Sequence, residues 1–440
     1  MLYFLIKLMA ITAIRTFFNK ISAENVDYIA KDTPIIFTAN HPNTMMDPMI
    51  IGYTCKRKLH FFAKSTLFNN LIAGWFLRRI QIVPVYRKVD DPSKMDQNKE
   101  TFSKGYEILK QNKAFLIFPE GISTGDRKLS QIKTGAARIG FGAEAENDWQ
   151  LGVQIIPVGL NYANAIKFRS DVSTRFGQPI QLTDFRDVYE QNEKEAVHLV
   201  TEQIETALSK LTINLKDLEM QEIVEALERI YKQELAVDLG LETENKADDF
   251  SVTKGLINAV EWYYENEPSK VNEFKGMLNL YQRLLNRLQI KDEFLDPASS
   301  RVTFWERIKA ILYIIIMFPI YLYGLINNVI PYKFPRWYAR HFVQHKAEVA
   351  PWKMLSGTII FLIYYFIEII IFASLTGSFI WTFIYALSLI PSGNFVLQYI
   401  NRVSDYRQHL RFISIFYKKR TLIYELIKQR TEIIDLLNSY

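Results

Sequence analysis

The sequence has almost no cysteine, since Cys55 is the single one among 440 residues. An intramolecular disulfide and a cysteine-based zinc cluster are therefore both excluded. Histidine is scarce too, and none of the six histidines has the HExxH spacing of a zinc protease. His341 and His345 are four residues apart, but Glu348 is the only acidic residue near them. We expect no metal site in this chain.

Neither sign of charge dominates strongly, with 53 lysines and arginines against 47 aspartates and glutamates and a net charge of +6. The isoelectric point near 9.0 is compatible with a nucleic acid, an anionic substrate or a membrane surface as partner. Hydrophobic residues make up 49% of the chain, which argues against extensive disorder. The basic residues cluster beside the apolar segments described next, so anionic lipid explains them and nucleic acid is not an expected partner.

Charge is nearly absent from two long stretches near the C-terminus. Residues 310–332 carry no charge over 23 residues, and residues 354–400 carry only Glu368 over 47 residues. A helix of about 20 apolar residues is long enough to cross a bilayer. We therefore predict an integral membrane protein, with a membrane-embedded helical region and a basic C-terminal helix over residues 303–440.

The segments that flank both apolar stretches are basic, and short basic loops favour the cytoplasm. All of them lie on one side if each stretch enters the bilayer and returns. The second stretch would then turn near residues 374–377, and the first would be broken at Pro319 or Gly324. We expect Glu368 to face a helix or a polar cavity, because a carboxylate exposed to lipid is costly.

The N-terminal residues 1–24 favour an interfacial membrane-anchor helix. Met1 to Phe18 are apolar except for Lys7 and Arg15, and these two lie close enough on a helical wheel for one face to remain apolar. No small-residue cleavage site follows, so a signal peptide is not indicated. The alternative is a helix buried in the next domain.

Residues 25–211 alternate between short apolar runs and helical periodicity. This alternation predicts an α/β domain with a mostly parallel sheet flanked by helices. Residues 212–302 are charged with an amphipathic stripe, and we interpret them as an α-helical connector. The predicted strands are 34–39, 58–63, 81–86, 114–118, 152–158 and 173–177, and the predicted helices include 65–79, 97–111, 133–145 and 188–208.

The motif NHPNTMMDP, at residues 40–48, directly follows the first predicted strand of this domain. Strand ends are where α/β folds place their chemistry. A histidine oriented by a carboxylate is the usual construction of a general base, which makes His41 and Asp47 a candidate pair. The alternative is that Asp47 only caps a helix that begins with Pro48.

Three further strand ends carry candidate ligand-binding residues. Arg87 is suited to clamp a phosphate, and Glu120 is followed by Gly121, whose backbone a ligand can approach closely. Lys133 opens a predicted helix of small residues, and a helix start favours an anion. The corresponding stretches are IQIVPVYR at 80–87, FLIFPEGISTG at 115–125 and VQIIPVGLNY at 153–162.

The four blocks in this order resemble those of the glycerolipid acyltransferases, over residues 34–182. The resemblance implies an α/β acyltransferase domain over residues 25–211. Five residues separate His41 from Asp47 where four are usual, and this version is similar to fungal glycerol-3-phosphate/dihydroxyacetone-phosphate acyltransferases. Ile122 and Ser123 stand where many 1-acylglycerol-3-phosphate enzymes have Thr-Arg-Ser, so a phosphate-contacting arginine is missing there.

The resemblance implies direct acyl transfer from acyl-CoA or acyl-carrier protein to the hydroxyl of glycerol-3-phosphate or 1-acylglycerol-3-phosphate, in phospholipid biosynthesis. Dihydroxyacetone phosphate or another lysophospholipid is the alternative acceptor. His41 is expected to take the acceptor proton, while Asp47 orients the imidazole. No cofactor beyond the acyl donor is expected.

The remaining site residues are expected at the acceptor. Their charge and position predict Arg87 and Lys133 at the acceptor phosphate, and the resemblance implies that Glu120 and Gly121 contribute to acceptor binding. The lipid bilayer is the expected partner, with the active site facing the cytoplasm at a bacterial inner membrane or the endoplasmic reticulum.

Two other functions compete with this interpretation. Residues 121–125 fit G-x-S-x-G, the nucleophile elbow of lipases and esterases, with Ser123 as nucleophile and His198 as its base. The elbow needs a helix that starts at the serine, whereas a polar sequence follows Ser123. An inactive membrane scaffold is the second alternative, but such a domain would be expected to have lost His41 or Asp47.

Overall fold

The chain divides into two compact units in a computed structural model. Unit 1 comprises Met1–Asn214 and Tyr338–Ser356, and unit 2 comprises Leu215–Trp337 and Gly357–Tyr440. The structure describes residues 2–79, 82–86, 96, 98–123, 125, 128–215, 218–241, 246–288, 290, 292, 295, 304–418 and 420–438.

A sheet of eight described strands forms the centre of unit 1, in the order β1-β7-β6-β2-β5-β3-β4, with β8 paired to β6. The β2, β5, β3 and β4 strands are mutually parallel, and β2 is also parallel to β6. β7 and β8 run antiparallel to β6, and β1 is parallel to β7, so these three strands oppose the other five. The strands are β1 Ile21–Glu24, β2 Ile35–Ala39, β3 Leu59–Lys64, β4 Ile82–Val85, β5 Ala114–Ile117, β6 Gln154–Tyr162, β7 Val172–Phe176 and β8 Ile180–Gln181.

The predicted α/β fold class is confirmed by this mostly parallel sheet. The central strand β2 is buried along its whole length, as its continuous apolar sequence requires. Two short strands, β1 and β8, were missed, because neither has a strong apolar pattern. The shared direction of β2, β5, β3 and β4 brings their carboxyl ends to one edge of the sheet, called the carboxyl edge below.

Helices cover both faces of the sheet, and a separate apolar cluster fills each interface. The C-terminal end of the first helix belongs to one of these clusters, since Ile14, Phe17 and Phe18 are buried. Part of the predicted anchor is therefore core, while Leu8 and Met9 are exposed. The helices are α1 Leu2–Phe17, α2 Met46–Thr54, α3 Leu71–Arg79, α4 Asn98–Lys110, α5 Gly135–Ala145, α6 Arg186–Gln191 and α7 Glu193–Leu211.

The distant segment Tyr338–Ser356 completes unit 1. Ala350 and Met354 are buried in the same cluster as the end of α1. Lys353 Nζ also donates to the carbonyl oxygen of Ile166 at 2.9 Å. Nothing in the sequence pattern pointed to this return of the chain.

Unit 2 is helical in its described residues. A polar contact joins its parts: Asp292 accepts a hydrogen bond from the buried Tyr281 hydroxyl and lies 3.4 Å from Arg430 Nε. Burial and the Asp292 charge raise the pKa of Tyr281. The helices are α8 Leu218–Ile230, α9 Lys232–Asp238, α10 Lys246–Asn266, α11 Pro268–Leu288, α12 Phe304–Phe342, α13 Val349–Thr376, α14 Phe379–Lys418 and α15 Arg420–Asn438.

Three described helices are long and apolar enough to cross a membrane, over Ile308–Phe342, Lys346–Thr376 and Phe379–Arg407. The predicted turn of the second apolar stretch is present between α13 and α14, where Gly377 has a φ of 61°. The predicted break of the first stretch is wrong, because α12 continues through Pro319 and Gly324. The side of the membrane on which each loop lies stays a prediction.

Polar side chains connect α12, α13 and α14. Tyr365 donates to Asn328 Oδ1, and Asn328 Nδ2 donates to the carbonyl oxygen of Gly324 at 2.8 Å. At the adjacent residue, Tyr385 donates to Asn327 Oδ1 at 2.7 Å. Such bonds satisfy polar groups that lipid cannot, so they hold the three helices together.

Candidate active site

The loop that carries His41 leaves the sheet at the carboxyl end of β2. Asn40 fixes this exit, because its amide side chain accepts from Leu160 N at 2.7 Å and donates to Leu160 O at 3.0 Å. Both bonds reach the neighbouring strand β6, so the side chain extends the β-ladder past the last residue of β2. The backbone immediately before His41 is thereby held in place.

His41 and Asp47 are in direct contact. His41 Nδ1 lies 2.8 Å from Asp47 Oδ2, and the imidazole is partly exposed while the carboxylate is fully buried. With an ionised Asp47, Nδ1 carries the proton and donates it. Nε2 is then the unprotonated nitrogen, which is the form that a general base requires.

Asp47 has further donors on both of its oxygens. Asn43 N donates to Oδ2 at 2.7 Å, and the Tyr162 hydroxyl donates to Oδ1 at 2.5 Å. A buried carboxylate needs such donors to remain charged. Burial first, and then the Asp47 charge, raise the pKa of Tyr162 well above its usual range, so the phenol stays protonated and remains a donor.

The turn between His41 and Asp47 accommodates the extra residue of the five-residue spacing. Thr44 adopts a φ of 34° in this turn. Asp47 is the second residue of α2, and Met45 occupies the N-cap position without a side-chain hydrogen bond. The prediction that Asp47 is itself the N-cap is therefore wrong, because its carboxylate is used by Asn43 N and His41 instead.

Two residues of the neighbouring block position His41. The Phe118 ring stacks on the imidazole, with centroids 3.9 Å apart and an interplanar angle of 12°. Glu120 is buried, and its two oxygens accept from His41 N at 2.7 Å and Ser130 N at 2.9 Å. Glu120 thus ties together two backbone segments at the site, and its predicted contact with the acceptor stays a prediction.

Gly121 and Lys133 lie against one another. Gly121 has a φ of 70°, and a Cβ built on it would come within 2.4 Å of Lys133 Nζ. Only glycine meets both demands without strain. Lys133 is exposed and precedes α5 by two residues rather than opening it. Arg87 lies outside the described residues.

The two residues of the alternative hydrolase do not form its site. Ser123 Oγ accepts from Thr44 N at 3.1 Å, and the next described helix begins only at Gly135. His198 lies on α7 with its side chain 80% exposed and pairs loosely with Glu202 at 3.9 Å. A nucleophile elbow is therefore absent from the described part of the loop.

A cavity opens beside the His41 imidazole. Asn161 shapes one wall, because its side chain donates to Leu211 O and accepts from Ile213 N, both at 2.9 Å. These bonds bring the chain that follows α7 to the site. The lining includes His41, Glu120, Tyr162, Lys128, Thr212 and Ile213.

Several residues of the site had no role assigned from the sequence. Phe118 and Tyr162 both end or follow strands that flank β2, so the parallel order of the sheet was the one signal available for them. The loop at Thr212 and Ile213 gave no signal at all. Its position depends on the length and direction of α7, which periodicity does not determine.

Comparison with known proteins identifies the domain that holds this site. Residues 20–161 match the family model described as Acyltransferase, and these residues include His41, Asp47 and Glu120. This match and the curated relatives below support a resemblance to the glycerolipid acyltransferases. The resemblance inferred from the four sequence blocks is thereby confirmed.

The curated relatives that this chain matches are longer than the part they share with it. "Glycerol-3-phosphate O-acyltransferase 1" of Saccharomyces cerevisiae is 25% identical over 283 residues, which cover 60% of this chain and 36% of the yeast protein. "1-acyl-sn-glycerol-3-phosphate acyltransferase" of Streptococcus pneumoniae is 28% identical over 192 residues, which cover 42% of this chain and 64% of that protein.

Among solved structures, the 1-acyl-sn-glycerophosphate (LPA) acyltransferase PlsC of Thermotoga maritima matches 46% of this chain and 78% of its own. The two share 21% identity at a TM-score of 0.34.

Proposed function

We propose that this protein transfers an acyl group from a thioester donor to the hydroxyl of a phosphorylated glycerol. The observation that carries the proposal is the His41–Asp47 contact of 2.8 Å beside a cavity at the carboxyl edge. A base with a buried, ionised partner is what deprotonation of an alcohol near neutral pH requires.

The reaction needs one proton shuttle and no covalent enzyme intermediate. His41 Nε2 takes the proton of the acceptor hydroxyl as its oxygen attacks the thioester carbonyl carbon. The carbon–sulfur bond then breaks, and the departing thiolate takes the proton back from the imidazolium. Asp47 stabilises that imidazolium, and Phe118 restricts rotation of the ring. General-base assistance of this kind contributes about 10²–10⁴-fold.

The acceptor phosphate is proposed to bind near Lys133, with Arg87 as a second candidate. Lys133 is exposed next to Gly121, which directly follows Glu120 of the cavity lining, and this position supports an anion-binding role for its ammonium. Glycerol-3-phosphate is the favoured acceptor, because it is the one named in the yeast relative that covers most of this chain. 1-Acylglycerol-3-phosphate is the second candidate, supported by the name of the streptococcal relative.

The donor of the proposed reaction must carry a thioester. We assign acyl-CoA as this donor, with acyl-carrier protein as the alternative. The three candidate spans support an integral membrane protein. The active site is proposed to face the cytoplasm, where both water-soluble substrates are available and where the basic loops prefer to lie.

The test is acyl transfer by membranes that contain the full-length protein. Labelled acyl-CoA is supplied with glycerol-3-phosphate, 1-acylglycerol-3-phosphate or dihydroxyacetone phosphate, each separately. We expect transfer to glycerol-3-phosphate that His41→Ala reduces at least about 100-fold, by the loss of general-base catalysis. His198→Ala is the matched control and keeps full activity. Transfer to none of the acceptors would remove the proposal, and equal activity of His41→Ala would remove the mechanism.

A further inference from the structure

An exposed apolar stripe runs along α3 in unit 1. Leu67, in the turn before the helix, is 44% exposed, while Leu71 and Trp75 are 91% and 61% exposed. Leu71 and Trp75 are four residues apart on the helix and share one face, and together with Leu67 we call them the α3 stripe.

One edge of α3 packs against the turn that precedes it. A Cβ built on Gly74 would come within 2.6 Å of the carbonyl oxygen of Phe68, so helix and turn are in close contact there. Phe68 is buried, and the Arg78 guanidinium lies 5.6 Å from the centre of its ring. The start of the helix is therefore held against this turn, while Leu71 and Trp75 remain exposed.

The stripe begins at the same edge of the sheet as the active site. β3 ends at Lys64 and leads directly into the turn Ser65–Phe68 that carries Leu67. β3 is parallel to β5, and β5 is parallel to β2, so these strands end at the carboxyl edge. His41 follows β2 at that edge, and the exposed Ile122 follows β5.

Charge follows the apolar side chains in a definite order. Arg78 and Arg79 are exposed and lie three and four residues after Trp75, on the same side of the helix. Leu71 and Arg79 are separated by eight residues, or about 12 Å along the axis. This order matches the layers of a bilayer surface. Apolar side chains favour the acyl chains, tryptophan favours the interface, and cationic side chains favour anionic headgroups.

We propose that the α3 stripe inserts into the bilayer surface, with Arg78 and Arg79 at anionic lipid headgroups. The occupant is lipid rather than another protein, since cationic side chains flank the stripe and the same chain carries three candidate membrane spans. Insertion brings the carboxyl edge of the sheet to the membrane. This contact is independent of the proposed reaction, because it follows from the surface alone.

The test uses the full-length protein in vesicles of phosphatidylcholine with phosphatidylglycerol. The buried Cys55 is replaced by alanine, and single cysteines are introduced as Leu71→Cys, Trp75→Cys and Gln111→Cys. Gln111 is exposed just before β5, at the opposite edge of the sheet. Each cysteine carries an environment-sensitive fluorophore, and quenching by spin-labelled lipid is compared with quenching by aqueous iodide.

We expect lipid quenching at positions 71 and 75 to exceed that at 111 by at least threefold, with iodide quenching in the reverse order. Arg78→Glu combined with Arg79→Glu should reduce the difference, as should vesicles without phosphatidylglycerol. Quenching at 71 and 75 equal to that at 111 would overturn the proposal. Shielding from iodide without lipid quenching would overturn it as well, in favour of a protein partner or a second copy. Because the readout involves no turnover, it is unaffected if the acyl-transfer assay fails.

Discussion

The Tyr162→Phe variant tests whether Tyr162 positions Asp47, the proposed partner of the general base His41. The change removes one oxygen atom, which donates to Asp47 Oδ1 at 2.5 Å, and keeps a ring that packs 5.8 Å from that of Phe18. Asp47 keeps its bonds to His41 and Asn43 through the other oxygen. The substitution therefore loosens the carboxylate without removing it.

A hydrogen bond to a charged group contributes about 1.5–3 kcal/mol. If all of it is lost from the transition state, kcat falls about ten- to hundred-fold, since each 1.4 kcal/mol corresponds to about a factor of ten. We expect KM for the acyl donor to change little. Tyr189→Phe is the matched control, because it removes a phenol oxygen from the same domain away from the site. Wild-type kcat in Tyr162→Phe, together with a lower melting temperature, would show that Tyr162 only stabilises the fold.

The raised pKa of Tyr162 gives a second readout of the same variant. Tyrosine in the unfolded chain ionises near pH 10.0, while the buried Tyr162 remains protonated above that pH. The folded protein then binds more protons than the unfolded chain, so stability falls as pH rises above about 10. Thermal melts between pH 9 and pH 11 should show a smaller loss of stability for Tyr162→Phe than for wild type. The difference corresponds to about one proton, the one that Tyr162 keeps in the folded state and loses on unfolding. Identical slopes would contradict the burial of an un-ionised phenol.

Two glycines and one carboxylate provide the remaining predictions. Gly121→Ala should raise KM for the acceptor as much as Lys133→Ala does. The reason is that the new Cβ at position 121 would displace the Lys133 ammonium. Gly152→Ala is the control. Gly152 also has a positive φ, of 67°, but a Cβ built on it meets no atom within 4 Å. This substitution should therefore lower only the stability of the fold, by about 1–2 kcal/mol. Glu120→Gln should lower kcat with little change in acceptor KM, because the side chain holds His41 N. A rise in acceptor KM alone would instead place Glu120 at the substrate. Steady-state kinetics with varied acceptor separate all these outcomes.

Much of unit 1 could be predicted from its sequence, because parallel strands buried on both faces are continuous apolar runs. The predicted runs at 34–39 and 114–118 correspond to β2 at Ile35–Ala39 and β5 at Ala114–Ile117. The direction of β7 could not be read in this way, since strand pairing depends on how the chain turns after β6. The break expected in α12 failed for a related reason, because proline and glycine within a membrane helix are tolerated when neighbouring helices satisfy the backbone.

The candidate site was predictable where chemistry and sequence neighbours coincide. His41 and Asp47 share one turn, so their contact follows from local sequence. Tyr162 reaches Asp47 across 115 residues of chain, and only the sheet order places them together. The roles of Glu120 and Phe118 likewise depend on β5 lying beside β2, which no residue pattern specifies.

The return of Tyr338–Ser356 to unit 1 has a consequence for how the protein can be divided. Thr44, in the turn between His41 and Asp47, donates through Oγ1 to the carbonyl oxygen of Ala347 at 3.1 Å. The buried side chains of Ala350 and Met354 fill the core beneath the same region. A fragment cut after Asn214 would leave that core open and the turn without its support, even though it retains every residue of the family match. The two units are thus interleaved along the chain, and no single cut separates unit 1 from the candidate membrane spans.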